Sequence, residues 1–124
     1  MRKTARKEPA REKRIDNEIV VDCYGAEEQA TGWYCYLEDN LEFPFTASCL
    51  RKRATSPLKL KERVDVVGLP SIEVCEQEMF VEIIWNGRKF SAPLAQLEYS
   101  GRDKETRQAV EDWHYWVGQG YRFG

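Results

Sequence analysis

An apolar stripe at helical spacing lies within residues 24–45. Its members follow one another at intervals of three, four and four residues: Ala30, Trp33, Leu37 and Leu41. That spacing places them on one face of an α-helix, which has 3.6 residues per turn. The stripe therefore predicts a helix over about residues 26–40, and Pro44 prevents the helix from continuing.

Shorter stretches alternate between apolar and polar residues, as half-buried β-strands do. They predict four strands, at residues 43–50, 62–69, 79–85 and 88–94. The Asn86-Gly87 dipeptide favours a type I′ turn between the last two, because both central residues of that turn need positive φ. Short strands with tight turns are typical of a small, curled antiparallel sheet, such as an SH3-like half-open barrel.

Two further helices are predicted at the ends of the sheet. Residues 15–24 favour a short helix, although the run Ile19-Val20-Val21 would equally suit a strand. Residues 104–117 have a continuous apolar face, and Asp103 is placed to cap their first turn. The predicted fold class is α+β: a small antiparallel SH3-like half-open barrel packed with N-terminal and C-terminal helices.

Length and composition predict one folded domain, at residues 15–124. The chain has 124 residues, 42% of them hydrophobic, which is enough for its own core. Residues 1–14 carry seven basic and two acidic side chains, a net charge of +5, and are predicted to be a disordered basic arm. Such an arm is a solvated tail, touches nucleic acid or an acidic partner, or folds back onto the acidic body.

Several classes of protein lack support in this sequence. No apolar run approaches the ~20 residues of a membrane helix, and no export signal is evident, so a cytoplasmic location is expected. The protein is predicted to be a monomer. The four cysteines are far apart, without a CxxC motif, and are predicted to be free thiols. P-loop, GxGxxG, GxSxG and HExxH motifs are absent, and the single histidine, His114, is read as structural. No catalysis is expected.

Carboxylates without neighbouring cations are the strongest chemical signal. Residues 15–50 contain eight Asp or Glu and no Lys or Arg. Glu38, Asp39 and Glu42 gather at the C-terminal end of the predicted helix, where the helix dipole disfavours negative charge. A second cluster occupies the loop 71–78, with Glu73, Glu76 and Glu78.

Three explanations remain open for these carboxylates: distant cations, a bound metal ion, or a solvated face. Calcium takes six to eight oxygen ligands from carboxylates, carbonyls and water, and a helix C-terminus adds unpaired carbonyl oxygens. The carboxylate pattern therefore makes six residues candidate metal ligands, with Glu38 and Asp39 ranked first: Glu38, Asp39, Glu42, Glu73, Glu76 and Glu78.

Long aromatic-rich blocks also resemble a known family. They read EIVVDCYGAEEQATGWYCYLEDNLEFPFTASC, SPLKLKERVDVVGL, MFVEIIWNGRKFSAPLAQLE and EDWHYWVGQGY. Together they resemble the cyanobacterial calcium-binding protein family, a group of small acidic proteins without EF-hands that buffer calcium. The resemblance covers about residues 15–122 and implies Ca²⁺ binding without catalysis. The alternative prediction is an SH3-like interaction module whose basic arm engages nucleic acid or acidic partners.

Overall fold

A five-stranded antiparallel sheet and three α-helices make up residues 6–124, the part of the chain described by the computed structural model. The helices are α1 (Pro9–Arg14), which continues into a π-helical turn (Ile15–Ile19), α2 (Ala26–Asn40) and α3 (Lys104–Gly118). The strands are β1 (Phe45–Cys49), β2 (Arg63–Gly68), β3 (Phe80–Trp85), β4 (Arg88–Pro93) and β5 (Leu97–Tyr99). Short 3₁₀ turns occupy Ile72–Cys75 and Leu94–Gln96.

The strands follow the order β4-β3-β2-β1-β5, and each neighbouring pair is antiparallel. The predicted α+β class with one antiparallel sheet is confirmed. β5 was not predicted from the sequence; it returns to β1, where Tyr99 lies opposite Ala47. Among the strand pairs of residues 6–124, β4 and β5 remain the two edges, so closure into an SH3-like half-open barrel stays a prediction.

Three elements with strong local sequence signals form as the sequence predicts. The predicted helix 26–40 has the bounds of α2, and the helix ends because Leu41 is extended. At the start of α3, the Thr106 amide donates to Asp103 Oδ2 over 2.9 Å, which is the predicted cap. Asn86 and Gly87 have φ values of 54° and 77°, as the predicted turn requires.

The core lies between the sheet and a layer formed by α2 and α3. Trp33 on α2 meets Trp113 on α3 edge to face, with ring centroids 5.0 Å apart. Both tryptophan side chains are buried, since Trp33 is 0% exposed and Trp113 is 1% exposed. Gly32 lets the preceding π-helical turn approach α2, because a Cβ at this position would collide with the Ile19 carbonyl oxygen.

The predicted disorder of the basic arm is wrong for residues 9–14, which form α1. Arg11 Nη1 and Arg14 Nη2 lie 3.1 and 2.6 Å from Oδ1 of Asp112, a fully buried carboxylate on α3. A buried charge needs partners of opposite charge. Composition alone does not show that the partner of these arginines is a carboxylate about a hundred residues away. The arm thus folds back onto the acidic body; residues 1–5 of the predicted arm lie outside the described residues.

The predicted helix 15–24 is correct only in its first part. Ile15–Ile19 extends α1 as a π-helical turn, and its two isoleucines are buried. Residues 20–24 form a turn and irregular backbone before α2, so neither the helix nor the alternative strand describes them.

Candidate metal site

A groove of about 520 Å³ separates the first half of α2 from the 3₁₀ turn after β2. Three carboxylates line it, Glu27 from α2 and Glu73 and Glu76 from the turn. Its other lining residues are Ala26, Ala30, Thr31, Ile72 and Gln77. The groove therefore offers carboxylate, hydroxyl and amide oxygens, which are the ligands that a hard cation prefers.

Tyr34 marks the continuation of this acidic face along α2. Its hydroxyl donates to the Pro70 carbonyl over 2.6 Å. Burial raises the pKa of Tyr34, and the negative charges of Glu38, Glu73 and Glu82 raise it further. The charges of Glu38, near the end of α2, and of Glu73, in the turn, thus both act on this hydroxyl.

Most of these carboxylates have no cation beside them. Within residues 6–124, none of Glu27, Glu38, Glu73 and Glu76 forms an ion pair, and all four are exposed. Glu82 is the exception on this face, because Lys89 Nζ lies 3.9 Å from its Oε1. Like charges so placed repel one another, and a divalent cation between them would relieve that repulsion.

Glu78 does not belong to this uncompensated set. Arg53 donates to both of its carboxylate oxygens, from Nη2 to Oε1 over 2.8 Å and from Nη1 to Oε2 over 3.2 Å. A bidentate pair of this kind already neutralises the carboxylate and fixes its orientation. The role of Glu78 as a metal ligand stays a prediction, and this pairing argues against it.

Asp39 and Glu42 also stay predictions as ligands. Both side chains are exposed, and neither is among the residues that line the groove. The Glu42 amide donates to Thr106 Oγ1 over 3.0 Å, which holds this residue at the start of α3. The fold therefore separates Glu42 from the groove, although it follows Glu38 closely in sequence.

The carboxylates are near one another but do not form a finished cage. Across residues 6–124, no three or more His, Cys, Asp or Glu side chains stand close enough together to hold a metal ion. A cation in the groove would need Glu27, Glu73 and Glu76 to turn inward. It would complete its shell with the Thr31 hydroxyl and water, and the all-oxygen donor set fits calcium better than a soft metal.

Sequence reasoning did not select Glu27, although a signal for it exists. Glu27, Thr31, Tyr34 and Glu38 follow one another at intervals of four, three and four residues. That is one helical face, adjacent to the apolar stripe. Charge density at the helix end points to Glu38 and Asp39, whereas this periodicity points to the face that begins at Glu27.

Comparison with known proteins agrees with this chemistry. The CcbP family model, described as calcium binding, matches residues 13–117. The crystal structure of Anabaena CcbP is 36% identical, with a TM-score of 0.85, over 97% of this chain and 98% of that one. A calcium-binding protein in its calcium-binding form is also 36% identical, with a TM-score of 0.83, over 94% and 96%. No curated protein matches the sequence.

Proposed function

Because the chain belongs to the CcbP calcium-binding family, we propose that it binds Ca²⁺ and acts as a cytoplasmic calcium buffer. The resemblance noted in the sequence is confirmed by this membership. The observation that carries the proposal is the groove between α2 and the 3₁₀ turn, where Glu27, Glu73 and Glu76 lie without cations from residues 6–124. The family is one of binding proteins, and no catalytic role is proposed.

The groove carboxylates would act as the primary ligands. Glu73 and Glu76 come from one short turn, and Glu27 approaches from the first turn of α2. Glu38 lies farther along the same face and would add attraction for the ion or hold a second one. Binding would remove the repulsion among these side chains, so calcium should raise the free energy of unfolding by mass action.

A site of this kind suits buffering better than tight storage. Calcium affinity depends on the number of charged ligands and on how rigidly they are held. The groove carboxylates are exposed, and no hydrogen bond fixes the side chains of Glu73 or Glu76 within the described residues. Ordering them costs conformational entropy, which lowers affinity and permits rapid release.

The test is a calorimetric titration with Ca²⁺ in near-physiological salt, with Mg²⁺ as the competitor. We expect saturable binding that survives magnesium, and a loss in affinity of about tenfold or more for Glu73→Gln/Glu76→Gln, since two charged ligands disappear. Glu98→Gln/Glu105→Gln is the matched control, because it removes the same charge from exposed positions on β5 and α3. That control should bind within about twofold of the natural protein.

Two results would contradict parts of this proposal. An unchanged isotherm for the groove variant would move the site to the helix end, which Glu38→Gln/Asp39→Asn then tests. No heat and no rise in melting temperature with the natural protein would refute calcium binding itself.

The alternative of a nucleic-acid module with a basic arm gains no support from the structure. Arg11 and Arg14 are engaged by Asp112, and Lys7 Nζ donates to the Tyr121 hydroxyl over 3.3 Å. These cations are therefore less available to phosphates than those of a free arm. Across residues 6–124, no helix is both long and apolar enough to cross a bilayer. The monomeric state stays a prediction.

A further inference from the structure

The connection between β1 and β2 presents both cationic and apolar side chains to solvent. The Lys61 amide donates to the Cys49 carbonyl over 2.8 Å, and the Cys49 amide donates to the Glu62 carbonyl over 2.8 Å. These bonds place Leu50 and Leu60 on the two sides of the same hairpin end. Leu50 is 40% exposed and Leu60 57% exposed, so each side of this hairpin end presents an aliphatic side chain to solvent.

This exposure belongs to an anchored segment. Leu58, two residues before Leu60, is 1% exposed and fixes the connection to the core. The Leu50 amide donates to the Gln96 carbonyl over 2.6 Å, which fixes the other side. The two leucines therefore project from a defined backbone, and the protein pays no large ordering cost to present them.

Exposed cations flank the two leucines in the sequence. Arg51, Lys52, Lys59 and Lys61 are exposed and have no ion-pair partner within residues 6–124. The nearby carboxylate, Glu62, accepts hydrogen bonds elsewhere. We call the surface formed by these six residues the cationic tip: Leu50, Arg51, Lys52, Lys59, Leu60 and Lys61.

Glu62 is the acidic residue nearest in sequence to these cations, but its carboxylate accepts hydrogen bonds from groups other than their side chains. Its Oε1 accepts the Lys59 amide over 2.9 Å, and its Oε2 accepts Trp85 Nε1 over 3.2 Å. The carboxylate is thus held by a backbone amide and an indole, and no lysine side chain bonds to it among the described contacts. Residues 51–63 hold six basic and one acidic side chain, whereas residues 15–50 hold eight acidic and no basic ones.

Cations around exposed aliphatic side chains are suited to an anionic lipid surface. Lysine and arginine side chains attract anionic lipid head groups, and leucines gain free energy by entering the boundary between head groups and acyl chains. Nucleic acid would also attract the cations, but it offers no apolar layer for two leucines. We propose that the cationic tip docks this protein reversibly on membranes that contain anionic phospholipid.

Vesicle co-sedimentation tests this proposal with the full chain. Vesicles of phosphatidylcholine with about 30% phosphatidylglycerol are compared with pure phosphatidylcholine. EGTA is present throughout, so the result does not depend on the calcium proposal, and calcium cannot bridge protein to lipid. We expect binding to the anionic vesicles alone, with an affinity that falls as salt is raised.

Three variants identify the surface. Lys59→Ala/Lys61→Ala should lower the partition coefficient about thirtyfold, because each lost cation is worth about fivefold near an anionic membrane. Leu50→Ser/Leu60→Ser, which keeps the charge, should lower it about tenfold. Arg102→Ala/Lys104→Ala is the control for charge. These two residues lie near the other end of β1, where the Ser100 amide donates to the Thr46 carbonyl. The variant should therefore bind as the natural protein does.

Four outcomes would overturn the proposal. They are no binding to anionic vesicles, equal binding to neutral vesicles, and an unaltered partition coefficient for the leucine variant. The fourth is self-association without lipid that Lys59→Ala/Lys61→Ala abolishes, since the occupant would then be a second copy. A polyuridine titration distinguishes nucleic acid: tight binding to polyuridine, combined with an unaffected leucine variant, would assign the tip to single-stranded RNA instead.

Discussion

Replacing Arg11 and Arg14 with alanine tests whether the N-terminal segment is part of the fold. Both guanidinium groups bond to Asp112, which is 0% exposed. After the double replacement, the Tyr36 hydroxyl, 2.6 Å from Oδ2, is the partner that remains among the described residues. A carboxylate would then be buried with one neutral donor, which is much less than its charge requires.

The expected cost is about 3–5 kcal/mol, the usual effect of removing one side of a buried ion pair. Asp112→Asn should cost less, about 1–2 kcal/mol, because the two arginines that it leaves can take up water. Their side chains are already 20% and 23% exposed. Combining all three replacements removes the unpaired charge, so the triple variant should be more stable than the arginine double variant.

Urea unfolding monitored by tryptophan fluorescence measures these differences, because Trp33 and Trp113 move from the core into water. Lys13→Ala is the matched control, since this exposed lysine lies on the same helix and has no ion pair within residues 6–124. A double variant within about 0.5 kcal/mol of the natural protein would refute the docking of α1. It would restore the disordered arm that the sequence predicted.

Other single replacements test other parts of the structure. Gly32→Ala should cost about 1–3 kcal/mol in thermal unfolding, because its methyl group meets the Ile19 carbonyl oxygen, whereas Gly118→Ala has free space and should be neutral or stabilising. Equal stability of the two would contradict the close approach. Burial, with the bond to the buried carboxylate, raises the pKa of Tyr36 from 10.0 to about 12. The unfolded chain therefore loses this proton first, and stability should fall as pH rises from 10 towards 12. Tyr36→Phe should make that fall shallower in urea titrations at several pH values, while Tyr34 and Tyr115, whose pKa values are also raised, keep part of it. Burial lowers the pKa of His114 below 6.5. This histidine therefore takes up a proton in the unfolded chain first, and stability should decline as pH falls below 6.5. A His114→Gln protein with the same slope would contradict this.

Elements with strong local signals could be predicted from the sequence, and elements made by distant contacts could not. The stripe of Ala30, Trp33 and Leu37 predicted α2 with its bounds, because helix periodicity is a local property. β5 has only three residues, too few to show alternation, and it forms because Cys49 and Ala47 on β1 offer a free edge. The helix α1 depends in the same way on a distant residue, Asp112, and no local sequence pattern near α1 predicts that contact.

The candidate site shows the same division. Charge density pointed to Glu73 and Glu76, and the fold places both in the groove. It could not reveal that Arg53, 25 residues earlier, pairs with Glu78. It also could not show that Glu27, from the other end of α2, meets the turn. Whether a carboxylate is uncompensated depends on pairings across the fold, and these are absent from composition.

The contact between α1 and α3 has a consequence for biosynthesis. Arg14 is separated from Asp112 by 98 residues, so at about 5–20 residues per second it waits roughly 5–20 s for its partner to be translated. Trp33 likewise has no Trp113 to pack against until α3 leaves the ribosome. The emerging chain therefore exposes its aromatic core and its basic N-terminal segment together. A chain truncated before α3 would keep that exposure and should be a substrate for chaperones and proteases.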